Sequence, residues 1–358
     1  MDSTPITAKL LSRHWGVNAR NLERSYKDHL SDFHEWEQLD HAEEWMLLPQ
    51  NIGISMSIDE TSLNGELYTI LSNKAGHGKQ GSIVAMIKGT KAPDIIRVLK
   101  MLPEDQRYAV IEVSMDFSES MAAAVKASFP DAQIVIDCFH IIKRCGEAVE
   151  ELRLKSKRES IKERKKEEAA HKKMLARRVA MRKAYRKKHP KNYKGKKRGR
   201  KPARLNQKYT PEVLSNGDTK VELLTRSRGL LLKSGDKWTD SQRKRAALLF
   251  EHCPKVKEAY GLACSLRSIF ANHNIDRDEA RKKLHEWYAK VSDCTLREIK
   301  SARDTIKSRE EEVLNYFFKW TTNASAESLN SKLKSFRAQL HGVTDMAFFM
   351  YRVSRIFG

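Results

Sequence analysis

The sequence lacks the features of a membrane protein or a disulfide-bonded secreted protein. No apolar run approaches the roughly 20 residues that a membrane-spanning helix needs. The first residues, Met1 to Pro5, lack the pattern of a signal peptide. The five cysteines form no Cys-x₂-Cys pair, which argues against a zinc module and fits reduced, mostly buried thiols. These absences predict a protein of the cytoplasm.

Acidic residues are scarce in one long segment. Residues 153–208 contain 26 Lys and Arg against 4 Asp and Glu, a net charge of +22, which equals the net charge of the whole chain. The rest of the sequence is therefore neutral in sum. A basic segment of this kind predicts a polyanionic partner such as nucleic acid, or else a solvated charged helix with a flexible tail. Within it, Arg198, Arg200 and Lys201 lie in a short match to an AT-hook, whose arginines enter the minor groove.

The length predicts two or three domains, and the 40% hydrophobic content allows a real core. We expect an N-terminal helical segment at 1–50 and the first part of a sheet-containing core at 51–152. A basic and helical insertion follows at 153–320, and the last core helices lie at 321–358.

The N-terminal segment reads as helical to about residue 48. Apolar residues at 10, 11, 15, 17 and 22 surround a turn at Gly16, and Asn18 is the expected N-cap of the second helix. This spacing is typical of a helix-turn-helix that binds DNA, and an ordinary αα-hairpin has the same spacing.

The next segment predicts a mixed sheet. Asn64-Gly65 between two β-rich runs indicates a hairpin, and helical patterns follow at 91–102 and 118–129. Three strands in a meander, then helix, strand, helix and strand, form the core of a ribonuclease-H-like α/β fold. Residues 139–320 read as helical, so we expect a large all-α insertion between the fifth strand and the helix that bears Glu327. The predicted strands are 54–59, 66–72, 82–88, 108–115 and 132–137.

Three carboxylates stand out in this arrangement. Asp59 and Asp116 end the first and fourth strands, which are adjacent in this fold, and Glu327 lies in the first turn of a late helix. Three carboxylates brought together repel one another unless divalent cations neutralise them, and Mg²⁺ prefers such oxygen ligands. Two metal ions about 4 Å apart are the usual device for in-line attack on a phosphodiester. The alternative for Glu327 is a capping acid that the helix dipole stabilises.

The helix after Glu327 is amphipathic. Asn330 and Lys334 share its face at i+3 and i+7, while Leu329, Leu333 and Phe336 lie on the other side. A cation two turns beyond a metal-binding acid is placed to contact the phosphate beside the scissile bond.

Five segments in order resemble the DDE transposases of the ISL-three type of bacterial insertion sequences. The resemblance runs from about residue 50 to the C-terminus. The segments are Ser57–Glu60, Val113–Ser118, Val135–His140, Arg228–Lys233 and Asn323–Asn330.

The resemblance implies a set of site residues. Asp59, Asp116 and Glu327 would be the catalytic triad that binds two Mg²⁺ ions, with Mn²⁺ as a substitute. Lys334 resembles the basic residue that many DDE enzymes place seven positions after the glutamate. Related enzymes also carry a Cys/Asp-x-x-His pair, here Asp137 and His140. This pair would order the site, with Asn330 as a further supporting residue. In the alternative, Asp137 caps the next helix and His140 packs beneath it.

The resemblance also implies the reaction and the partners. The protein would cleave insertion-sequence ends and transfer the strands into target double-stranded DNA, acting as a dimer or higher oligomer near the bacterial nucleoid. The zinc-binding region typical of the family is absent, which resembles a subgroup whose N-terminal DNA-binding protein is encoded separately. The alternatives are a ribonuclease-H-like nuclease without strand transfer and a catalytically silent DNA-binding protein.

Overall fold

The computed structural model describes residues 1, 3–189, 207–319, 323–340 and 345–358. They form two compact units. The first contains residues 1–141, 270–284 and 306–358, and the second contains residues 142–269 and 285–305. The domain boundaries expected at 50, 152 and 320 stay predictions. The described residues do not include Arg198, Arg200 and Lys201. Among the residues that are described, no helix is long and apolar enough to cross a membrane.

The first unit is built on a six-stranded mixed sheet with the order β1-β4-β3-β2-β5-β6. The pairs β2–β3, β3–β4 and β1–β4 are antiparallel, whereas β2–β5 and β5–β6 are parallel. The strands are β1 Trp45–Leu47, β2 Ser55–Leu63, β3 Glu66–Asn73, β4 Ile83–Lys88, β5 Glu112–Met115 and β6 Gln133–Ile136. This meander followed by parallel strands confirms the predicted ribonuclease-H-like α/β class.

The helices are numbered in chain order. Those up to the long basic helix are α1 Ala8–Trp15, α2 Ala19–Ser25, α3 Ala92–Leu99, α4 Glu104–Tyr108, α5 Glu119–Ser128 and α6 Cys138–Lys188. The next are α7 Lys220–Arg226, α8 Arg228–Leu231, α9 Asp240–His252, α10 Pro254–Phe270, α11 Arg277–Asp293 and α12 Arg297–Ser308. The last are α13 Glu310–Leu314, α14 Tyr316–Lys319, α15 Ala324–Gln339 and α16 Met346–Phe357. Short π or 3₁₀ turns lie at Tyr26–Leu30, Phe33–Glu35, Leu39–His41, Pro49–Asn51, Lys74–Gly76 and Gly235–Lys237.

The described residues between β6 and α15 contain no strand, so the all-α insertion is confirmed. Its longest element, α6, has 51 residues, roughly 76 Å at the rise of an α-helix. Thr239 caps α9 with a capping box that includes Gln242, because the threonine hydroxyl and the glutamine side chain each bond the other residue's backbone N–H. The indole of Trp238 donates to the carbonyl of Leu230 and stacks on Tyr260, with ring centroids 5.3 Å apart.

The hairpin between β2 and β3 forms where Asn64-Gly65 predicts it. Both residues have positive φ, 52° and 84°, as a two-residue type I′ turn requires. The predicted end of the first strand at Asp59 is wrong, because β2 stays paired with β3 as far as Leu63. The parallel partner β5 pairs only with Ser55 to Ser57. Asp59 therefore lies just beyond the parallel pairing, although it is inside a strand.

Two other boundaries differ from the prediction. The segment expected to be helical to residue 48 ends in the short strand β1, whose three residues pair with the edge strand β4. Three residues carry too little periodicity to reveal a strand, and the tertiary pairing decides the outcome. The fourth predicted strand begins at Glu112 rather than at 108, because α4 ends at Tyr108.

The N-terminal helices form a hairpin with an exposed apolar face. Gly16 has φ 65° and ends α1, and the side chain of Asn18 accepts from the N–H of Arg20, as expected for an N-cap. The apolar residues that gave this spacing do not form a core between the two helices, however. Trp15 is 70% exposed, and Leu10 and Val17 are also exposed.

One face of the sheet is covered by the last two helices. Arg352 of α16 is buried and donates to the backbone carbonyls of Met1 and Ile6, at 2.7 and 3.1 Å. The ring of Phe33 packs 5.1 Å from that of Phe348. The N-terminal segment is thus fixed to α16. The main core cluster includes Tyr68, Ile70 and Met86 of the sheet, Leu329, Leu333 and Phe336 of α15, and Phe349, Met350 and Val353 of α16.

Phe336→Ala is expected to lower the free energy of unfolding by about 3–5 kcal/mol, because it leaves a cavity in a fully buried cluster. Phe318→Ala is the matched control, since this phenylalanine is 69% exposed. We expect it to change stability by no more than about 0.5 kcal/mol. Urea unfolding followed by circular dichroism measures both. A loss below about 1 kcal/mol for Phe336→Ala would contradict the packing described here.

Candidate active site

Two aspartates lie at equivalent places on the neighbouring parallel strands β2 and β5. Ser57 is the register partner of Ser114, and Asp59 and Asp116 each follow their serine by two residues. Side chains two residues apart on a strand point to the same face. Asp116 comes directly after β5, and its carboxylate accepts from the backbone N–H of Ser118 at 2.8 Å.

The carboxyl group of Asp59 is partly buried beside other charged groups. Its burial is the largest cause that raises its pKa, and the negative charge of Asp116 raises the pKa further. Three groups act in the opposite direction: the N–H of Glu60, the charge of His140 and the side chain of Asn330. Asp59 therefore lies within electrostatic reach of both Asp116 and His140.

Glu327 lies in the first turn of α15, as predicted, and its side chain is exposed. One ligand atom from each of Asp137, His140 and Glu327 lies within 4.8 Å of the others. Among the described residues, no other group of three or more His, Cys, Asp or Glu side chains approaches so closely. The structure thus brings the predicted Asp-x-x-His pair to the glutamate.

Asp137 has the position of a helix cap and also lies beside Glu327. It is buried between β6 and α6, and its carboxylate accepts from the backbone N–H of Phe139 at 3.4 Å, as a helix cap does. It also belongs to the group with Glu327. His140 connects this group with the aspartates, because its charge acts on Asp59. His140 thus belongs to the close group with Asp137 and Glu327 and also acts electrostatically on Asp59.

Asn330 and Lys334 follow Glu327 along α15. The buried Asn330 donates through Nδ2 to the Asp59 carboxylate at 2.6 Å, and its Oδ1 has no partner among the described residues. This contact joins the glutamate helix directly to the first aspartate. Lys334 is exposed one turn further on. The opposite face, with Leu329, Leu333 and Phe336, is buried as the sequence predicts.

Burial raises the pKa of Glu60, the neighbour of Asp59 on β2, and the charges of Asp116 and Asp59 raise it further. Sequence reasoning missed one polar group of the site. Ser57, Ser114 and Asn323 form a buried polar group next to the carboxylates. Their signal is present in the sequence: serine precedes each aspartate by two residues, so a polar residue stands where a core strand normally places an apolar one.

Comparison with known families agrees with this geometry. A family model described as "Transposase", that of the ISL-three group of DDE transposases, matches residues 56–200 and 197–353. The chain belongs to this family. Membership of the DDE transposases implies phosphoryl transfer and DNA binding. No curated protein and no solved structure matches this transposase.

The transposase presents a basic surface on the distal part of α6. After Glu168 the sequence contains no acidic residue until Glu212. The cations of α6 beyond Glu168 are exposed, except for the half-buried Arg182. They are Lys172, Lys173, Arg177, Arg178, Arg182, Lys183, Arg186, Lys187 and Lys188. Such a surface binds phosphates without sequence preference.

Proposed function

We propose that this transposase cuts the ends of its insertion sequence and joins the freed strands to target DNA. The observation that carries the proposal is the approach of Glu327 to Asp137 and His140, in a chain where His140 also acts on Asp59. Acidic groups from β2, from the ends of β5 and β6, and from α15 contribute to one centre. Such a centre suits phosphoryl transfer rather than a purely structural role.

The residues fit the divalent metal ions that the family implies. Asp59, Asp116 and Glu327 would hold two Mg²⁺ ions, with Mn²⁺ as a substitute. Burial and the charge of Asp116 raise the pKa of Asp59, which is the electrostatic situation that a cation relieves. The unpartnered amide oxygen of Asn330 is a further hard donor. When bound, the ions activate the attacking hydroxyl and stabilise the leaving oxygen.

The neighbouring side chains orient these ligands and bind the DNA. Asn330 holds the Asp59 carboxylate through its N–H group. Asp137 and His140 lie next to Glu327, where they would limit the positions open to its carboxylate. Lys334 binds the phosphate next to the scissile bond. The same site serves both the cleavage and the joining step, so no covalent bond between protein and DNA is needed.

The proposed assembly contains two transposon ends and therefore at least two copies of the chain. The basic surface of α6, with Arg198, Arg200 and Lys201, holds the double-stranded DNA through its phosphates. A separately encoded N-terminal DNA-binding protein recognises the terminal repeats, and the αα-hairpin of α1 and α2 contributes to DNA contact. The complex works in the bacterial cytoplasm at the nucleoid.

A strand-transfer assay tests the proposal. The substrate is a pre-cleaved duplex with the end sequence that flanks the reading frame, and the target is a supercoiled plasmid with Mg²⁺. We expect joined products that depend on the 3′-hydroxyl of the end, so a 3′-dideoxy end is the matched control. Hydrolysis without joining would indicate the ribonuclease-H-like nuclease instead. DNA binding with neither reaction would indicate the catalytically silent protein.

A further inference from the structure

Three fully buried polar side chains meet next to the acidic centre. The hydroxyls of Ser57 and Ser114 lie 2.7 Å apart on β2 and β5. One end of the Asn323 carboxamide contacts both of them, at 2.8 Å from Ser114. All three residues have 0% exposure. Burial of polar groups is costly unless hydrogen bonds compensate for it, so this cluster requires a reason.

The number of hydroxyl and amide protons available for the three contacts indicates which end of the Asn323 carboxamide faces the serines. If the amide oxygen faces the serines, three contacts must share two hydroxyl protons, and the buried amide nitrogen keeps no partner in the described part of the chain. If the amide nitrogen faces them, its two N–H groups donate to the two serine oxygens, and one hydroxyl donates to the other. All three contacts are then filled. Since the two ends of a carboxamide have nearly the same size and shape, we infer the second orientation.

Asn323 precedes α15 but does not cap it with its side chain. An asparagine at this position normally accepts from the second or third N–H of the helix, and Asn323 makes no such bond. Its backbone carbonyl accepts from the N–H of Glu327 at 3.0 Å. The residue therefore binds the glutamate's own backbone on one side and both aspartate-bearing strands on the other.

The position of the cluster in the chain indicates its role. Ser57 and Ser114 each lie two residues before an aspartate, on the same face of their strands. Asn323 lies one helical turn before Glu327. The three residues join the backbones that carry the three carboxylates. A second hydrogen bond holds α15 further along the helix, where Lys332 donates to the carbonyl of Gly78 at 2.7 Å.

We propose that Asn323 is a positioning residue, which sets the place of Glu327 relative to Asp59 and Asp116 through Ser57 and Ser114. The inference rests on the proposed function for the meaning of that position. An apolar cluster would hold the helix against the sheet with similar strength. A hydrogen-bonded network defines one orientation, because its partners must align in direction as well as distance.

The test compares Asn323→Ala with Asn315→Ala in the full-length protein. Asn315 is the matched control, because its amide also ties a helical segment to a strand, at 2.8 Å from the carbonyl of Ile134. The probe is Mn²⁺, titrated by electron paramagnetic resonance. We expect Asn323→Ala to weaken Mn²⁺ binding about tenfold, the usual effect of losing a residue that orients a metal ligand. Strand transfer should then need about ten times more metal for half-maximal rate.

Hydrogen exchange supplies a readout that needs no metal. The backbone amides of residues 324–328 should exchange faster in Asn323→Ala than in the wild type, and at the wild-type rate in Asn315→Ala. If Asn323→Ala does not fold, Ser114→Ala replaces it. This change removes the contacts of Ser114 with Asn323 and with Ser57, and it leaves the amide in contact with Ser57. We expect it to have a smaller effect of the same kind.

The outcomes separate the two proposals. A lower melting temperature with unchanged Mn²⁺ affinity and unchanged exchange at 324–328 would show that Asn323 serves stability alone, which overturns the inference. Equal losses of Mn²⁺ affinity in Asn323→Ala and Asn315→Ala would do the same. If the wild type binds no Mn²⁺ or joins no strands, the proposed function fails, and the exchange at 324–328 alone decides the inference.

Discussion

Asp116→Asn is expected to slow the cleavage of transposon-end DNA by about a thousandfold or more. The change removes one carboxylate charge from a centre proposed to hold two cations, and metal ions contribute several kcal/mol to such reactions. Asp59→Asn and Glu327→Gln should have comparable effects. DNA affinity should remain within about twofold of the wild type, since phosphate contacts by cations dominate it. Single-turnover cleavage and fluorescence anisotropy measure the two quantities.

Glu60→Gln is the most informative control for this series. Glu60 is partly buried, and the charges of Asp116 and Asp59 help to raise its pKa, so it shares their surroundings without being a proposed ligand. Its change should reduce cleavage by less than about tenfold. Equal inactivation by Glu60→Gln would mean that total charge, rather than specific ligands, supports the reaction. Cleavage at the wild-type rate by Asp116→Asn would refute the assignment of the triad.

Neutralising the distal cations of α6 is expected to remove most of the affinity for DNA. Glutamine replaces each of six residues, since Gln, Lys and Arg have similar helix propensities. The slope of log affinity against log salt should fall by about 5, because each phosphate contact contributes about 0.9. Wild-type affinity should itself drop about a thousandfold between 50 and 200 mM salt. The six are Lys172, Lys173, Arg177, Arg178, Arg182 and Lys183.

A second set of six lysines controls for the loss of charge as such. They are exposed and lie in the part of the chain whose charges sum to zero. The same replacement there should leave the salt slope within about 1 of the wild type. Similar slopes for the two variants would mean that α6 is not the main DNA-binding surface. The control lysines are Lys244, Lys255, Lys257, Lys282, Lys283 and Lys290.

Local signals predicted the sheet better than the site. Asn64-Gly65 defines the β2–β3 hairpin because two successive positive φ angles are a property of the turn itself. The end of β2 at Leu63 was missed, because hydrogen bonds to β3 extend the strand beyond its apolar run. The proposed triad was named from family resemblance and from two expected strand ends, of which the structure has the one before Asp116. Its surroundings could not be named in this way, since Asp137, His140 and Glu327 meet only after the helical insertion returns the chain to the sheet.

Asn323 illustrates why the remaining part of the site escaped prediction. Its place before a helix predicts a capping side chain, and the residue does occupy the N-cap position of α15. Its amide instead bonds two serines far away in sequence. No local rule distinguishes these two uses of an asparagine, because in each of them one end of the carboxamide finds hydrogen-bond partners.

The helices that cover one face of the sheet are the last part of the chain to be synthesised. Tyr68, Ile70 and Met86 belong to strands made early, and the helices that bury them, α15 and α16, are made last. A ribosome that stops before residue 323 releases a chain that has both aspartates but lacks Glu327 and leaves this apolar face open to water. We expect such fragments to be bound by chaperones, because exposed apolar surface marks an incompletely folded chain. Loss of the last helices would thus remove the proposed third ligand and the cover of the sheet together.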